Sequence, residues 1–296
     1  MSEFTLETLG TQGQMQSETV SEHQFWFRFS SNNGAMELKT QFSSREDITP
    51  YLAEQLIGLY SSDAIPNEIL GGRKAGLEQL EKFRANGYGK RNFVNAPTSG
   101  LSAYLRHGVL SITEVAIHVR KHAQGRERLE FLKQLAWREF FLLVLEQEEA
   151  GVLENLEDPK YPAVWSLEMP EDILNADTGL PCVDAWVEKL INTGYLHNHE
   201  RLWFAAYLTH WRKTDWRAGF DFFREHLLDG DIASNALSWQ WVASTFSSKP
   251  YFMNQQNIQK FSSDAHCSGC HAVCPFNRSY SELERQLFGA DYGWSA

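Results

Sequence analysis

Apolar residues recur at helical spacing along most of the chain beyond position 45. This spacing predicts helices over 49–60, 129–145, 183–191, 200–212 and 216–228. Thr49 and Pro50 suit the N-cap and the first helical position, and Gly194 is placed to end the third helix. The 129–145 stretch becomes nearly all apolar toward its end, which predicts a helix buried near the centre of the fold.

Strand-like alternation is scarce, and the sequence predicts a mainly α-helical protein without βαβ units. We expect a polar N-terminal segment over 1–45 and one helical domain over 46–296. Apolar residues make up 43% of the chain, which is enough for a buried core. No apolar run reaches the ~20 residues that a membrane helix needs, and the first ten residues lack the features of a secretory signal. The expected location is therefore cytoplasmic, with no membrane partner.

The formal net charge of −11 bears on the choice of partners. An acidic chain lacks the general basic surface of a nucleic-acid-binding protein. A local basic groove is compatible with this charge, but the composition does not point to one.

Three of the four cysteines lie in the stretch HCSGCHAVCPF over 266–276. So few cysteines do not make a disulfide scaffold. The C-x₂-C-x₃-C spacing followed by Pro fits an iron–sulfur cluster better than a thioredoxin-like pair, and Cys182 is the only cysteine left as a fourth ligand. A structural zinc site and unligated thiols stay open as alternatives. We expect the flanking His266 and His271 to face solvent rather than to act as ligands.

Two apolar stretches carry embedded polar residues. The stretch 193–208 contains Arg201, and the stretch 227–241 contains Asp229. An unpaired charge is costly to bury, so we expect Arg201 and Asp229 to form an ion pair. From spacing alone, this pair is as compatible with a structural link between two helices as with a binding site.

The same stretches resemble the flavin-binding half of the DNA photolyase and cryptochrome family. The resemblance covers about 75–280 and rests on four segments in the family's order, which are TSGLSAYLRHGVLS (98–111), FLKQLAWREFF (131–141), TGLPCVDAWVEKLINTGYLHNHERL (178–202) and DWRAGFDFFREHLLDGDIASNALSWQWVAST (215–245), with KPYF following. It implies an all-helical photolyase/cryptochrome-type FAD-binding domain.

The resemblance also assigns the residues that would hold FAD. Carried over by motif, they are Tyr88, Thr98, Ser99, Leu101, Ser102, Phe131, Arg138, Asn198, Arg201, Leu202, Asp229, Asp231 and Asn235. The 98–102 loop would bind the phosphates, because hydroxyls and backbone N–H groups leading into a helix suit anions. Asn235 takes the position that faces N5 of the flavin.

Three departures from the family pattern stand out. Gly100 stands where the family usually has Arg, and Ala236 where it commonly has Asn. The residues before the resemblance show no alternating strands and helices, whereas the family normally has an N-terminal α/β domain there. We therefore expect no antenna domain and no antenna chromophore.

One bacterial branch of the family carries a [4Fe-4S] cluster, and the cysteines here follow its pattern. Cys182 precedes the flavin motifs, SSKPY occupies 247–251, and Cys267, Cys270 and Cys274 follow, the last within CPFN. The resemblance implies that these four cysteines ligate a cluster, which would pin a loop over about 262–280 to the helix of Cys182.

The resemblance assigns tryptophans to two further roles. Trp239, Trp216 and, by approximate spacing, Trp165 would pass electrons from the surface to the flavin. Trp137 and Trp241 match residues that sandwich a flipped pyrimidine dimer in repair enzymes. Gln134 replaces the glutamate that is usual in enzymes acting on cyclobutane dimers.

The function implied is light-driven electron transfer from reduced FAD to a cyclobutane pyrimidine dimer, with Trp137, Trp241, Gln134 and Asn235 at the reacting centre. The expected substrate is single-stranded DNA. The alternative is a cryptochrome-like blue-light sensor or redox protein that signals to a protein partner and repairs nothing. Trp137 and Trp241 favour repair, and Gln134 and the net charge favour the sensor.

Overall fold

The computed structural model describes residues 29–31, 34–36, 39, 41–44, 46–57, 69–162 and 164–289. The chain divides into two compact units, Met1–Pro66 and Asn67–Ala296. The predicted boundary between 45 and 46 falls inside the first unit.

The first unit contains a short hairpin and one helix among its described residues. Strands β1 (Phe29–Ser31) and β2 (Gly34–Met36) pair antiparallel with Phe29 opposite Met36. Helix α1 spans Ile48–Gln55. It begins just before the predicted start at Thr49 and ends before Tyr60. Most of the predicted polar segment lies outside the described residues.

Among the described residues of the second unit, helices are the only regular elements apart from an isolated bridge between Ser166 and Thr214. Its α-helices are α2 (Arg73–Lys82), α3 (Ser102–Arg106), α4 (Ile112–His122), α5 (Gly125–Glu148), α6 (Glu171–Leu174), α7 (Pro181–Thr193), α8 (Asn198–Ala206), α9 (Trp216–His226), α10 (Ile232–Ala243), α11 (Gln255–Phe261) and α12 (Tyr280–Phe288). Two 3₁₀ segments, Tyr88–Lys90 and Glu149–Leu153, and a π segment, Tyr207–Trp211, join them. The predicted mainly α-helical fold is confirmed.

Local sequence explains where the central helices begin and end. Pro181 stands in the first turn of α7, and Gly194 ends that helix in the left-handed region with φ 64°, as predicted. Asp231 caps α10 by accepting from the backbone N–H of Ser234 at 2.6 Å. The predicted 200–212 helix is α8 followed by the π segment, which adds an extra residue to the turn before α9.

Helix α10 packs against both α9 and α5 and anchors the larger hydrophobic core. Trp186, Trp203 and Trp239 are among the largest side chains buried there. A second core beside α4 and the start of α5 contains Leu101 and Phe131. Within the described ranges, no helix combines the length and apolar character needed to cross a bilayer.

Candidate functional site

The predicted pair of Arg201 and Asp229 is confirmed. Arg201 on α8 donates from Nε to the Leu196 carbonyl at 2.9 Å, and its Nη2 lies 2.9 Å from Oδ1 and 3.0 Å from Oδ2 of Asp229. Only the approach to Oδ2 has hydrogen-bond geometry, so the buried Oδ1 lacks a hydrogen-bond partner among the described residues. Burial raises the pKa of Asp229, but Arg201 and the Ser102 hydroxyl outweigh it and leave the pKa below its ordinary value.

A second ion pair involves Asp231, two residues after Asp229. Arg138 on α5 donates from Nη1 to Oδ2 of Asp231 at 2.9 Å, and the side chains are 16% and 8% exposed. Because Asp231 also caps α10, its carboxylate fixes α5 against the start of α10. Sequence analysis selected both residues as cofactor ligands without predicting that they pair.

The loop before α3 brings the predicted phosphate ligands to the same region. The Tyr195 hydroxyl donates to Oγ1 of the exposed Thr98 at 3.4 Å, and the Gln79 side chain donates to the Ser99 carbonyl at 2.8 Å. Ser102, the first residue of α3, contacts Asp229. The loop therefore reaches the Arg201–Asp229 pair through Ser102.

The structure gives a physical reason for Gly100. Its φ is +63°, and a Cβ there would lie 2.8 Å from Nε2 of Gln79. An arginine would strain the backbone and collide with the side chain that fixes Ser99. The backbone conformation of this loop therefore favours glycine at position 100 over the family's arginine.

The remaining predicted cofactor residues divide into two groups. Asn198 and Leu202 lie on the same side of α8 as Arg201, with Asn198 exposed and Leu202 half-buried. Asn235 is buried on α10 and donates from Nδ2 to the Phe220 carbonyl at 2.9 Å. By contrast, Tyr88, Leu101 and Phe131 pack in or against the second hydrophobic core, where the Tyr88 and Phe131 rings lie 4.8 Å apart.

The predicted substrate residues form an exposed aromatic surface on two helices that pack together. Trp137 on α5 is 53% exposed and Trp241 on α10 is 43% exposed, although both are large apolar side chains. The rings of Trp137 and Phe141 lie 5.7 Å apart, and those of Trp241 and Tyr251 lie 5.4 Å apart. Gln134 is half-buried one turn before Trp137.

The segments that carry the three tryptophans predicted to transfer electrons are neighbours in the fold. Trp216 and Gly219 share a face of α9, and a Cβ on Gly219 would lie only 2.2 Å from the Trp239 ring. Ser166 forms a parallel bridge with Thr214, which places Trp165 beside the segment that leads into Trp216. Trp239 and Trp216 are buried, whereas Trp165 is half-buried. The series therefore runs from the core toward the surface.

The four cysteines line one pocket together with His266 and Phe276. All four are free thiols. Burial and the neighbouring cysteines raise the pKa of Cys182 to about 12 and that of Cys267 to about 11. The described residues nevertheless contain no group of three or more His, Cys, Asp or Glu side chains close enough to hold a single metal ion. The predicted metal site is therefore a shared pocket and not a compact set of ligands.

His266 does not face solvent, which corrects the expectation from sequence. The Trp186 indole N–H donates to its Nε2 at 3.1 Å, and the same atom lies 3.5 Å from Oε1 of the buried Glu200. Glu200 also accepts from Lys189 at 2.6 Å. His271 is exposed, as expected.

A basic surface that was not predicted from the sequence lies where α4 ends and α5 begins. Arg120, Lys121, Arg126 and Arg128 are exposed, and none joins a salt bridge found in the described part of the chain. The acidic residues of this segment are engaged: Glu127 accepts from the Gly87 N–H at 2.6 Å, and Glu130 pairs with Arg91 and Lys133. The basic residues are adjacent in the segment RKHAQGRER (120–128), but the net negative charge of the whole chain gave no sign of this local basic surface.

Comparison with known proteins identifies the domain. The family model described as the FAD binding domain of DNA photolyase matches residues 131–271. The deoxyribodipyrimidine photo-lyase of Halobacterium salinarum is 35% identical over 226 residues, which are 70% of this chain and 46% of that protein. The corresponding enzyme of Escherichia coli is 32% identical over 202 residues, covering 60% of this chain and 41% of that protein.

Solved structures agree with the sequence comparison. An archaeal photolyase from Sulfolobus tokodaii matches with a TM-score of 0.56 and 27% identity over 69% of this chain and 47% of that chain. A cryptochrome from Synechocystis shares the fold, with a TM-score of 0.60, 24% identity, and coverage of 68% of this chain and 46% of its own. The chain thus spans about half the length of these relatives. Its helical unit is an FAD-binding domain of the photolyase/cryptochrome family.

Proposed function

We propose that this chain is a photolyase-like flavoprotein that uses light-driven electron transfer from reduced FAD to split a cyclobutane pyrimidine dimer in DNA. The observation that carries the proposal is the polar cluster inside the apolar helices. Two ion pairs, Arg201–Asp229 and Arg138–Asp231, are nearly buried, and Asn235 lies one turn after Asp231 on α10. Oδ1 of Asp229 has no hydrogen-bond partner among the described residues. Such groups suit a large polar cofactor, because an unsatisfied buried oxygen is costly unless a ligand donates to it.

Different residues of the polar cluster would bind different parts of FAD. Thr98, Ser99 and Ser102 offer hydroxyls to the phosphates, and Arg201 adds positive charge beside Ser102. Asp229 and Asp231 would accept hydrogen bonds from cofactor hydroxyls, and Asn235 would present its amide to the flavin ring. When bound and reduced, FAD supplies the excited-state electron that the repair reaction needs.

The exposed aromatic surface and the basic surface support DNA as the partner. Trp137 and Trp241 offer two indole faces on which an extruded pyrimidine dimer can stack. On α5, Arg126 lies about three turns before Trp137 on the same face, so the basic surface of Arg120, Lys121, Arg126 and Arg128 could contact the phosphates of a strand that reaches Trp137. A small basic surface on an acidic protein favours single-stranded DNA, in which the lesion is already unpaired and extrusion costs less.

The order of the tryptophans supports their role in reducing the cofactor. Trp239 and Trp216 are buried and joined through Gly219, and Trp165 is more exposed. Indole rings on neighbouring segments, with the most exposed ring last, can pass an electron inward and leave the oxidised site near solvent.

We further propose that Cys182, Cys267, Cys270 and Cys274 hold a [4Fe-4S] cluster. The four thiols share one pocket, which fits the donor set of such a cluster. The C-x₂-C-x₃-C spacing followed by Pro275, with Cys182 as the fourth thiol, favours a cluster, and a structural zinc site is the alternative that metal analysis would identify. The cluster would join α7 to the 262–280 loop, and four cysteines that form no disulfide fit a reducing cytoplasm.

The test of the proposal is repair of a thymine dimer in a short single-stranded oligonucleotide by illuminated, reduced protein at low salt. We expect conversion that falls as salt rises, because phosphate contacts dominate the affinity. Trp137→Ala should slow conversion strongly, whereas Leu143→Ala, another exposed side chain of α5, should not. No conversion by protein with verified reduced FAD would contradict the repair function and favour the light-sensor alternative.

A further inference from the structure

Tyr161 and His210 form a buried hydrogen-bonded pair that the proposed function does not use. Their exposed fractions are 2% and 0%. The Tyr161 hydroxyl lies 2.6 Å from Nδ1 of His210, and Nε2 of the same ring lies 2.9 Å from the Tyr251 carbonyl and 3.2 Å from the Val242 carbonyl.

These contacts fix the protonation of the pair. Carbonyl oxygens only accept, so Nε2 carries the imidazole proton and Nδ1 is left with its lone pair. The phenol must therefore donate to Nδ1. Burial and the nearby Lys213 lower the pKa of His210 to about 3, so its ring is neutral, and burial raises the pKa of Tyr161. The geometry is a phenol held against a neutral base.

The pair lies next to the outermost tryptophan of the predicted series. The rings of Tyr161 and Trp165 lie 5.8 Å apart, edge to face. The Trp165 indole N–H donates at 3.3 Å to the carbonyl of Thr209, the residue before His210. Through Ser166, Trp165 also adjoins the segment that leads to Trp216.

We propose that Tyr161 is a redox-active tyrosine that reduces the oxidised Trp165, with His210 as its proton acceptor. One electron passes from the Tyr161 phenol to the indole radical cation of Trp165, which returns to neutral indole. The phenol proton moves along the existing hydrogen bond from Oη to Nδ1. The products are a neutral tyrosyl radical and an imidazolium.

The surroundings favour a reversible step. An oxidised phenol is a far stronger acid than a neutral one, so even a weakly basic imidazole can accept its proton. Lys213, with Nζ 5.8 Å from the centre of the Tyr161 ring, disfavours the imidazolium, so the proton returns when the tyrosyl radical is reduced. Phe288 packs 4.6 Å from the Tyr161 ring and helps to shield it from water.

The inference rests on the proposed function and deepens it. In the proposed function, the photoexcited, oxidised flavin oxidises Trp165 through Trp239 and Trp216. Removing the proton from the phenol traps the oxidising equivalent on Tyr161 and delays its recombination with the reduced cofactor. A soluble ruthenium polypyridyl photo-oxidant can replace the flavin and generate the Trp165 radical from outside. The inference can therefore be tested independently of the cofactor.

The experiment follows radicals by electron paramagnetic resonance and transient absorption after a flash, with each oxidant in turn. We expect a neutral tyrosyl radical to form as the indole radical decays, and to form more slowly in D₂O. Tyr161→Phe should abolish the tyrosyl radical and lengthen the indole radical's life when the external oxidant is used. Tyr104→Phe should change neither, because Tyr104 is also buried but donates to the Leu70 carbonyl in the other core.

Several outcomes would decide the question. Ring-deuterated tyrosine in the unmutated protein identifies a tyrosyl radical by its spectrum, so the answer does not depend on the folding of a variant. Indole radicals that decay without any tyrosyl radical would overturn the inference, as would a tyrosyl radical that persists in Tyr161→Phe. If flavin illumination yields no radicals but the external oxidant yields the Tyr161 radical, the proposed flavin chemistry fails and the Tyr161–His210 assignment stands.

Discussion

The Arg201 guanidinium lies against the Asp229 carboxylate, with Nη2 2.9 Å from Oδ1 and 3.0 Å from Oδ2. This contact joins α8 to the turn before α10 and lies next to Ser102 at the start of α3. Three segments that are distant in sequence therefore meet at one charge pair. The pair is thus a structural link, and the proposed cofactor site would use the same two residues, so the two alternatives left open by spacing need not compete.

Asp229→Ala should destabilise the domain by about 3 kcal/mol, because removing one partner leaves the nearly buried Arg201 charge unpaired. The variant should also purify with little flavin. Chemical denaturation and the flavin-to-protein absorbance ratio measure these two effects. Glu154→Ala is the matched control, since it removes a 77% exposed partner of Arg217 and should cost less than ~1 kcal/mol. Full flavin content with unchanged stability in Asp229→Ala would rule out the assignment.

Gly219→Ala should displace the Trp239 ring. The added Cβ would lie 2.2–2.6 Å from three ring carbons, and overpacking of this kind costs about 1–3 kcal/mol. We expect lower thermal stability and slower photoreduction. Gly151→Ala is the control, because its Cβ would meet only Glu148 at 3.9 Å. Equal photoreduction rates in the two variants would contradict the contact between α9 and Trp239.

Stability should fall as the pH drops below neutrality. Burial lowers the pKa values of His197, His199 and His210 in the folded domain, the last to about 3 from an ordinary 6.5. The unfolded chain therefore binds more protons, so the stabilisation is complete above about pH 6.5 and is lost as the pH falls toward 3. Urea unfolding at pH 7 and pH 5 measures the effect. An unfolding free energy that is equal at both values would show that these imidazoles titrate normally.

Cys270→Ser should remove the proposed cluster. Anaerobically prepared protein should contain about four iron and four sulfide per chain, and the variant should lose both and melt at a lower temperature. Val273→Ala lies in the same loop, is 96% exposed and should keep the metal. Stoichiometric zinc without iron in the unmutated protein would instead establish a zinc site.

The sequence predicted the parts of the fold that local chemistry controls. Gly194 ends α7 because glycine readily adopts the left-handed backbone that ends a helix. Arg201 pairs with Asp229 because an unpaired charge is costly to bury. The photolyase-like segments were recognisable because their spacing is distinctive.

Other features depend on tertiary packing and could not be read in advance. His266 looked like a solvent-side neighbour of Cys267, but Trp186 and Glu200 enclose it. Tyr161 and His210 form their hydrogen bond where two loops pack together, next to the Ser166–Thr214 bridge. The basic surface was visible as RKHAQGRER, but only the structure shows that Glu127 and Glu130 are engaged elsewhere.

The most direct test of the central claim is the visible spectrum of protein purified anaerobically in the dark and then illuminated with a reductant. We expect bound FAD that becomes reduced in blue light, and much slower reduction in Trp239→Phe. Protein that carries no flavin, even after incubation with FAD, would contradict the assignment of this domain as a photoactive flavoprotein. Bound flavin that light reduces equally fast without Trp239 would contradict the role of that tryptophan.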